Sequence, residues 1–388
     1  MYTMESGSKE EAFVISLIRA YYKSTKKIAT DRVEAREFGA GTFERKIAYR
    51  HLYFRDEAGL YSFLQERAPA YVSYSVAYYN RPDARPMPNK GWLGAELIFD
   101  LDATDMHLKC QAEHGRSWVC VNCFDSVKAE TVKLIEDFLI PDFGFSEKEL
   151  EINFSGNRGY HVHVKKDSVL QLSGIARKQI SDYISGNGIT AEALFPTMGR
   201  RGVKLIGPKP EDKGWRGKVA RNFISDMEKG QKTLEQLGIE HQIAKNLYNK
   251  RALISMGIKN GNWDMVYIKN KSEFWKKILA SQAISQSDRI DKNVTKDPTH
   301  LIRMPGTIHG ETGLTAKKIG SVSELVSFEP MSEALAFKKG EIEIIPKAKK
   351  EFIMAGQTFS LEAGEKTTLP VYAGVYLALK GLASIYII

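Results

Sequence analysis

ELIFDLD, residues 96–102, decides the reading of this chain. Leu97, Phe99 and Leu101 alternate with Glu96, Ile98, Asp100 and Asp102. That period of two predicts a β-strand with one face packed into a core. Residues two apart on a strand lie roughly 6.5–7 Å apart, so Asp100 and Asp102 project side by side. Two carboxylates that close repel each other unless a cation lies between them. Mg²⁺ and Mn²⁺ favour oxygen ligands, which makes the pair a candidate divalent-metal site. The competing reading is a strand end running into a polar turn, because Ala103, Thr104 and Asp105 follow.

Immediately downstream, HLKCQAEHGRSWVCVNC (107–123) holds all three cysteines of the chain. Cys110, His114, Cys120 and Cys123 are spaced x3, x5 and x2, a ligand set for tetrahedral structural zinc. His107 is the alternative to His114, at the cost of a longer excursion, and a redox dithiol is the competing use of Cys120 and Cys123. A long helix is expected over 127–140, with Val132, Ile135, Phe138 and Leu139 as its apolar stripe. EINFSGNRGYHVHV (151–164) then reads as strand–turn–strand. Gly156 and Gly159 permit the turn, and Ser155, Arg158 and His161 gather at the strand mouth. Hydroxyl, guanidinium and imidazole are the donors that phosphate oxygens take.

Working outward, a helix is expected over 166–190, followed by a basic, loop-rich helical insertion to about 285. In it GPKPEDKGWRGK (207–218) mixes lysines with Trp215, the texture of nucleic-acid contact or of a solvated loop. DRIDKNVT (288–295) offers Asp291 as a third carboxylate, and THLIRMPGTIHGETGL (299–314) offers Arg303 and His309. Acids for metals and bases for a triphosphate are what phosphoryl transfer requires. The tail from about 350 reads as a hairpin and a closing amphipathic helix. Upstream, 9–25 predicts a helix with Phe13, Leu17 and Tyr21 on one face. Strands are expected at 36–43, at 47–54 with Arg50 inside it, and at 71–80; a helix is expected at 56–67.

The 388 residues are 43% hydrophobic and 27% charged, an ordinary globular balance that excludes wholesale disorder. A formal net charge of +9 favours a polyanionic partner. Three cysteines are too few for a disulfide scaffold. The first residues lack the apolar stretch of a signal peptide, and no run reaches the roughly 18 apolar residues that span a bilayer. A soluble, intracellular protein without membrane partners is expected.

Taken together, four stretches resemble the catalytic small subunit of archaeal and eukaryotic DNA primase. They are ELIFDLDATD (96–105), the Cys/His knuckle (110–123), SGNRGYHVHV (155–164), and RIDKNVT with LIRMPGTIHGETGL (289–314). REFGAGTF and IAYRHLYF are similar to that family's N-terminal strands, so the likeness covers about 20–345. Cys110 and His114 in place of paired cysteines, with the IRMPGTIHGETGL form, resemble archaeal members. The resemblance implies a mixed α/β primase fold: mixed β-sheets flanked by helices, a zinc knuckle and a helical insertion. The catalytic core is expected in two parts, 1–189 and 286–388, with 190–285 inserted between them.

The resemblance further implies that Asp100, Asp102 and Asp291 hold catalytic Mg²⁺ or Mn²⁺. Ser155, Arg158 and His161, then Arg303 and His309, and Arg50 nearby, would bind the nucleotide. Two-metal nucleotidyl transfer from nucleoside triphosphates on single-stranded DNA follows as the expected activity. The expected partner is a large subunit carrying an iron–sulfur cluster, and the expected place is the cytoplasm of an archaeal cell, at the nucleoid during replication. The rival readings are a primase-polymerase of repair or of a mobile element, a non-catalytic nucleic-acid-binding subunit, and a glycosyltransferase using the same Asp-x-Asp strand.

Overall fold

The structure is a computed structural model that describes residues 7–25, 30–106, 108–115, 117–197, 203–265, 268, 270, 273–275, 278 and 292–387. The period-two stretches become short antiparallel strands. They are β1 (Phe38–Gly41), β2 (Tyr49–Leu52), β3 (Tyr71–Ser75), β4 (Ala77–Tyr79), β5 (Trp92–Ala95), β6 (Leu97–Asp102), β7 (Leu150–Phe154), β8 (Gly159–Val164), β9 (Leu301–Arg303) and β10 (Lys317–Ile319). One sheet runs β2-β1-β3-β9 and another β10-β7-β8-β6. The expected 71–80 strand is broken at Val76, and its halves β3 and β4 pair with different partners. With its helices, this is a mixed α/β protein.

The second sheet explains the composition of the 96–102 stretch. On one face lie Leu97, Phe99, Leu101, Ile152, Phe154, Tyr160, Val162 and Val164, all buried. The other face carries Ile98, Asp100, Asp102, Glu151, Asn153, His161 and His163, and it turns toward the first sheet. There His163 stacks on Tyr74 with ring centroids 6.2 Å apart. Ile98 joins the core that Val72 and Tyr74 share with α1 (Lys9–Ser24) and α2 (Glu57–Arg67). A sheet face so rich in charge is enclosed only because its charges are paired. Arg36 Nη2 meets Glu96 Oε1 at 2.6 Å with neither side chain exposed. Its remaining donors reach Ser75 O (2.6 Å), Asp31 O (2.9 Å) and Tyr78 Oη (2.9 Å). His163 Nδ1 lies 2.6 Å from the other Glu96 oxygen.

Ser8 caps α1 by accepting from Glu11 N (3.1 Å). The face that helix buries is Val14, Ile18 and Tyr22, one residue on from the stripe expected at Phe13, Leu17 and Tyr21, which is only partly buried. The tyrosines then hold the loop after β9: Tyr21 Oη donates to Gly306 O, and Ile308 N donates to Tyr22 Oη.

Two compact units divide the chain: Met1–Val132, Ser146–Arg177 and Asp291–Ile388 form one, and Lys133–Phe145 with Lys178–Ile290 the other. The second is helical among its described residues, with Phe195, Phe223, Trp263 and Trp275 packed mostly edge to face at its centre. Trp215 belongs to that interior. It is buried in the helix Gly214–Lys229, its Nε1 donates to Tyr183 O at 2.7 Å, and it packs on Phe138. The aromatic of the 207–218 stretch is therefore a core residue and offers no stacking platform.

In the first unit the tail forms β11 (Glu341–Pro346), β12 (Lys350–Met354), β13 (Gln357–Leu361), β14 (Thr367–Pro370), the helix Val371–Leu379 and β15 (Ala383–Ile385). The hairpin is as expected. The closing helix differs: Val371 and Ala373–Leu379 are buried on every side, so it is not amphipathic. Gly381 at φ +73° turns the chain back, and the last residues pair as a strand with β11.

Candidate active site and metal knuckle

Antiparallel register sets the opposition of groups. Asp100 lies across from His161 and Asp102 from Gly159. The two aspartate side chains are 26% and 29% exposed, on the same strand face and open to a solute. His161 Nε2 stands 3.6 Å from Asp100 Oδ1, and Arg158 Nε donates to Asp102 Oδ2 at 2.9 Å. Asp102 Oδ1 also accepts from Thr104 N and Oγ1, both at 2.8 Å, so the carboxylate closes the turn after β6 as well. The strand end thus runs into the polar turn of the competing reading, with both carboxylates left part-exposed. Asp291 lies outside the described residues, as does His107; the helix Lys292–Lys296 packs against β6.

The 155–159 turn is held by its own hydroxyl. Ser155 Oγ accepts from Gly159 N (3.2 Å) and Asn157 N (3.4 Å). Gly159 is required here, because a Cβ would lie 2.1 Å from Leu101 O. Gly156, at φ +81°, lies against His309 and Ala316, and its carbonyl accepts from Thr312 Oγ1 at 2.6 Å. The turn and the 309–312 loop are thus one surface, and Ser155, Arg158, His161 and His309 come together on it.

His309 Nδ1 accepts from Glu311 N (3.2 Å), which leaves the ring proton on Nε2. Burial, with Arg303, Lys46, Lys380 and Arg158 around it, holds His309 well below the usual imidazole range. His161 is held down likewise by burial and by His163, Arg303 and His300. Its Nδ1 is buried without a hydrogen-bond partner among the described residues. Both imidazoles are neutral near pH 7, so the fixed charge comes from elsewhere. Arg303 donates to Val72 O (3.0 Å) over the Tyr71 ring; burial lowers it to about 10, and it stays cationic. Arg50 is fixed by buried Glu37 (2.8 Å) and reaches Thr299 O (3.2 Å).

Four residues here went unread in the sequence: Lys46, Asn157, Glu311 and Lys380. Lys46 pairs with Glu311 Oε1 at 2.9 Å, and Asn157 Nδ2 donates to Glu311 Oε2 at 3.1 Å. Lys380 Nζ donates to Asn157 Oδ1 and to Ser117 O, both at 3.1 Å. Burial lowers Lys380 to about 8, against the pull of Glu311 and Asp102. A lone lysine ending the apolar run 371–379 is the one signal that the sequence carried.

The knuckle follows directly on β6. Gln111, in α3 (Lys109–His114), donates to Ala103 O at 2.5 Å, and Cys120 precedes α4 (Val121–Lys133), which starts six residues before the helix expected at 127. Bonds of 2.3 Å to a tetrahedral ion put two sulfurs about 3.8 Å apart. The Cys110–Cys123 and Cys120–Cys123 sulfurs are 3.6 and 3.7 Å apart, and Cys123 Sγ is 3.5 Å from His114 Nε2. His114 Nδ1 faces Gly115 O at 2.8 Å, so it carries the proton and Nε2 is left to bind a metal. Burial and the neighbouring thiols push Cys123 up to about 12, a crowding that a cation relieves. These four residues fit zinc.

Comparison with known proteins gives the family of the chain's relatives. A family model described as DNA primase small subunit matches residues 99–321. The DNA primase small subunit of Methanothrix thermoacetophila is 35% identical over 97% of this chain and 99% of that protein. That of Methanococcoides burtonii is 32% identical over 97% and 98%, and that of Thermoplasma acidophilum 31% over 95% and 99%. Among the described residues, no helix is long and apolar enough to cross a membrane.

Proposed function

The chain belongs to the DNA primase small-subunit family, and on that premise we propose that it is a primase catalytic subunit, a nucleotidyltransferase that joins nucleoside triphosphates into short primers on single-stranded DNA. The observation that carries this reading is the β6–β8 register, which sets two part-exposed carboxylates against Arg158 and His161 beside a turn ringed with cations. Asp100, Asp102 and Asp291, which immediately precedes the helix packed on β6, would hold Mg²⁺ or Mn²⁺; their hard oxygen donors suit those ions. Bound there, the ions would activate a 3′-hydroxyl and steady the departing pyrophosphate.

The protein's own part is positioning and fixed charge. Arg158 and Arg303 face phosphate oxygens, with Arg50 extending the positive field. His161 and His309 act as neutral donors, and Ser155 keeps the turn in shape. Cys110, His114, Cys120 and Cys123 would hold zinc, whose role is to cross-link the knuckle behind the catalytic strand. The relatives' designation as small subunits supports a heterodimer with a large subunit. The three cysteines here are all in the knuckle, so an iron–sulfur cluster would belong to that partner.

The test is synthesis on single-stranded template with labelled nucleotides and Mn²⁺. Unprimed products are expected from the wild type. Asp100→Asn and Asp102→Asn should lower the rate at least about a hundred-fold with the chain still cooperatively folded. Full activity in either variant refutes the carboxylate assignment. Template binding without product in the wild type would make the chain a binding subunit.

A further inference from the structure

Glu311 is the odd group in this site. Around the Gly156 turn stand four cations, Lys46, Arg158, Arg303 and Lys380, all of which bear on the neighbouring His309. The carboxylates opposite them are Asp100 and Asp102, assigned to metal, and Glu311, which is not. Both oxygens of Glu311 face a partner: Oε1 forms an ion pair with Lys46 at 2.9 Å, and Oε2 accepts from Asn157 Nδ2 at 3.1 Å. Asn157 in turn is oriented by Lys380, whose ammonium uses two of its three protons on Asn157 Oδ1 and Ser117 O. The lysine and amide that hold this carboxylate, with a second lysine behind the amide, are the kind of donors that a phosphate group accepts from.

We propose that Glu311 is an internal competitor for phosphate: its carboxylate holds Lys46 and Asn157 in the nucleotide-free protein, the terminal phosphate of an incoming triphosphate displaces it, and Lys46 and Lys380 pass to the phosphate oxygens. This rests on the nucleotidyl-transfer reading and adds a selection to it. One tethered carboxylate is readily outcompeted by a polyanion that also engages Arg158 and Arg303, and poorly by a single phosphate. The site then discriminates by charge as well as by shape.

The probes are inorganic tripolyphosphate and inorganic phosphate, titrated calorimetrically into the full-length chain, with primer synthesis measured separately. Glu311→Gln should bind tripolyphosphate about ten-fold tighter and narrow the preference over phosphate. Lys380→Met should bind it about ten-fold more weakly, and Lys380→Arg should recover most of that loss at an unchanged melting temperature. Unchanged or weaker binding by Glu311→Gln overturns the competitor role. Unchanged binding by Lys380→Met overturns the transfer of Lys380. Either result beside normal primer synthesis leaves the enzymatic reading standing. The expected shifts in a wild type that makes no primers would overturn that reading, and with it the identity of the displacing anion.

Discussion

At Glu151, burial and charge pull in opposite directions. Burial would raise its carboxyl, but His163, Lys165 and Lys318 bring it from an ordinary 4.5 down to about 2. Lys165 Nζ and Lys318 Nζ lie 3.0 and 2.6 Å from its Oε2. A carboxyl with a depressed folded pKa contributes stability above its unfolded value, and that contribution is lost as pH falls from about 4.5 to about 2. Glu151→Gln should cost on the order of 3 kcal/mol at pH 6, and the difference from wild type should close toward pH 2. Thermal unfolding across that range checks it; a constant difference would count against the pairing. Other single residues were legible from spacing alone: Asp100 and Asp102 by alternation, the knuckle ligands by their intervals. Protonation was not, because only burial in the folded chain holds His161 and His309 below the usual imidazole range. Nor was the Glu311 cluster, whose members come from four separate stretches.

Among the elements, the knuckle has little other support. Of its four ligands only Cys123 is buried, so little apolar packing stands in for the ion. Removing zinc by chelation, or replacing Cys120 by Ser, should lower the melting temperature by about 5–10 °C and release one metal per chain. An unchanged melting temperature after verified metal loss would refute a structural role. Element positions were well marked in the sequence, since α1, α2, the β7–β8 hairpin and the β12–β13 hairpin all fall where periodicity put them. The errors came from context. Trp215 looked like a solvent-facing aromatic because its cover, Phe138 and Tyr183, comes from distant segments. The helix Val371–Leu379 looked amphipathic because Lys380 ends it, yet that lysine points to the site.

For the whole first unit, the decisive fact is that its two four-stranded sheets meet across charge. Arg36 and Glu96 carry that contact with neither side chain exposed. Arg36→Ala should destabilise by about 3–5 kcal/mol, because Glu96 is left buried with its main partner gone. Replacing the pair together, Arg36→Met with Glu96→Leu, should recover a large part of that loss. Chemical denaturation of the three proteins decides it, and equal losses in single and double variants would mean the pair does not act as one. Nothing in the sequence marked this network. Glu96 opens the quoted strand as one of its alternating polar positions, and the other sheet, supplied by residues 36–75 and 301–303, encloses it.

The bond between Lys380 and Asn157 closes over 223 residues. While the ribosome is still working, Asn157 emerges early and waits, and the lysine that completes its surroundings is not yet made. The intervening helical unit must be translated first. A message cut short anywhere in that interval therefore yields a chain that has Asp100, Asp102 and the knuckle but lacks the lysine that orients Asn157. Completion of the surroundings of Asn157 is thereby tied to a residue made late.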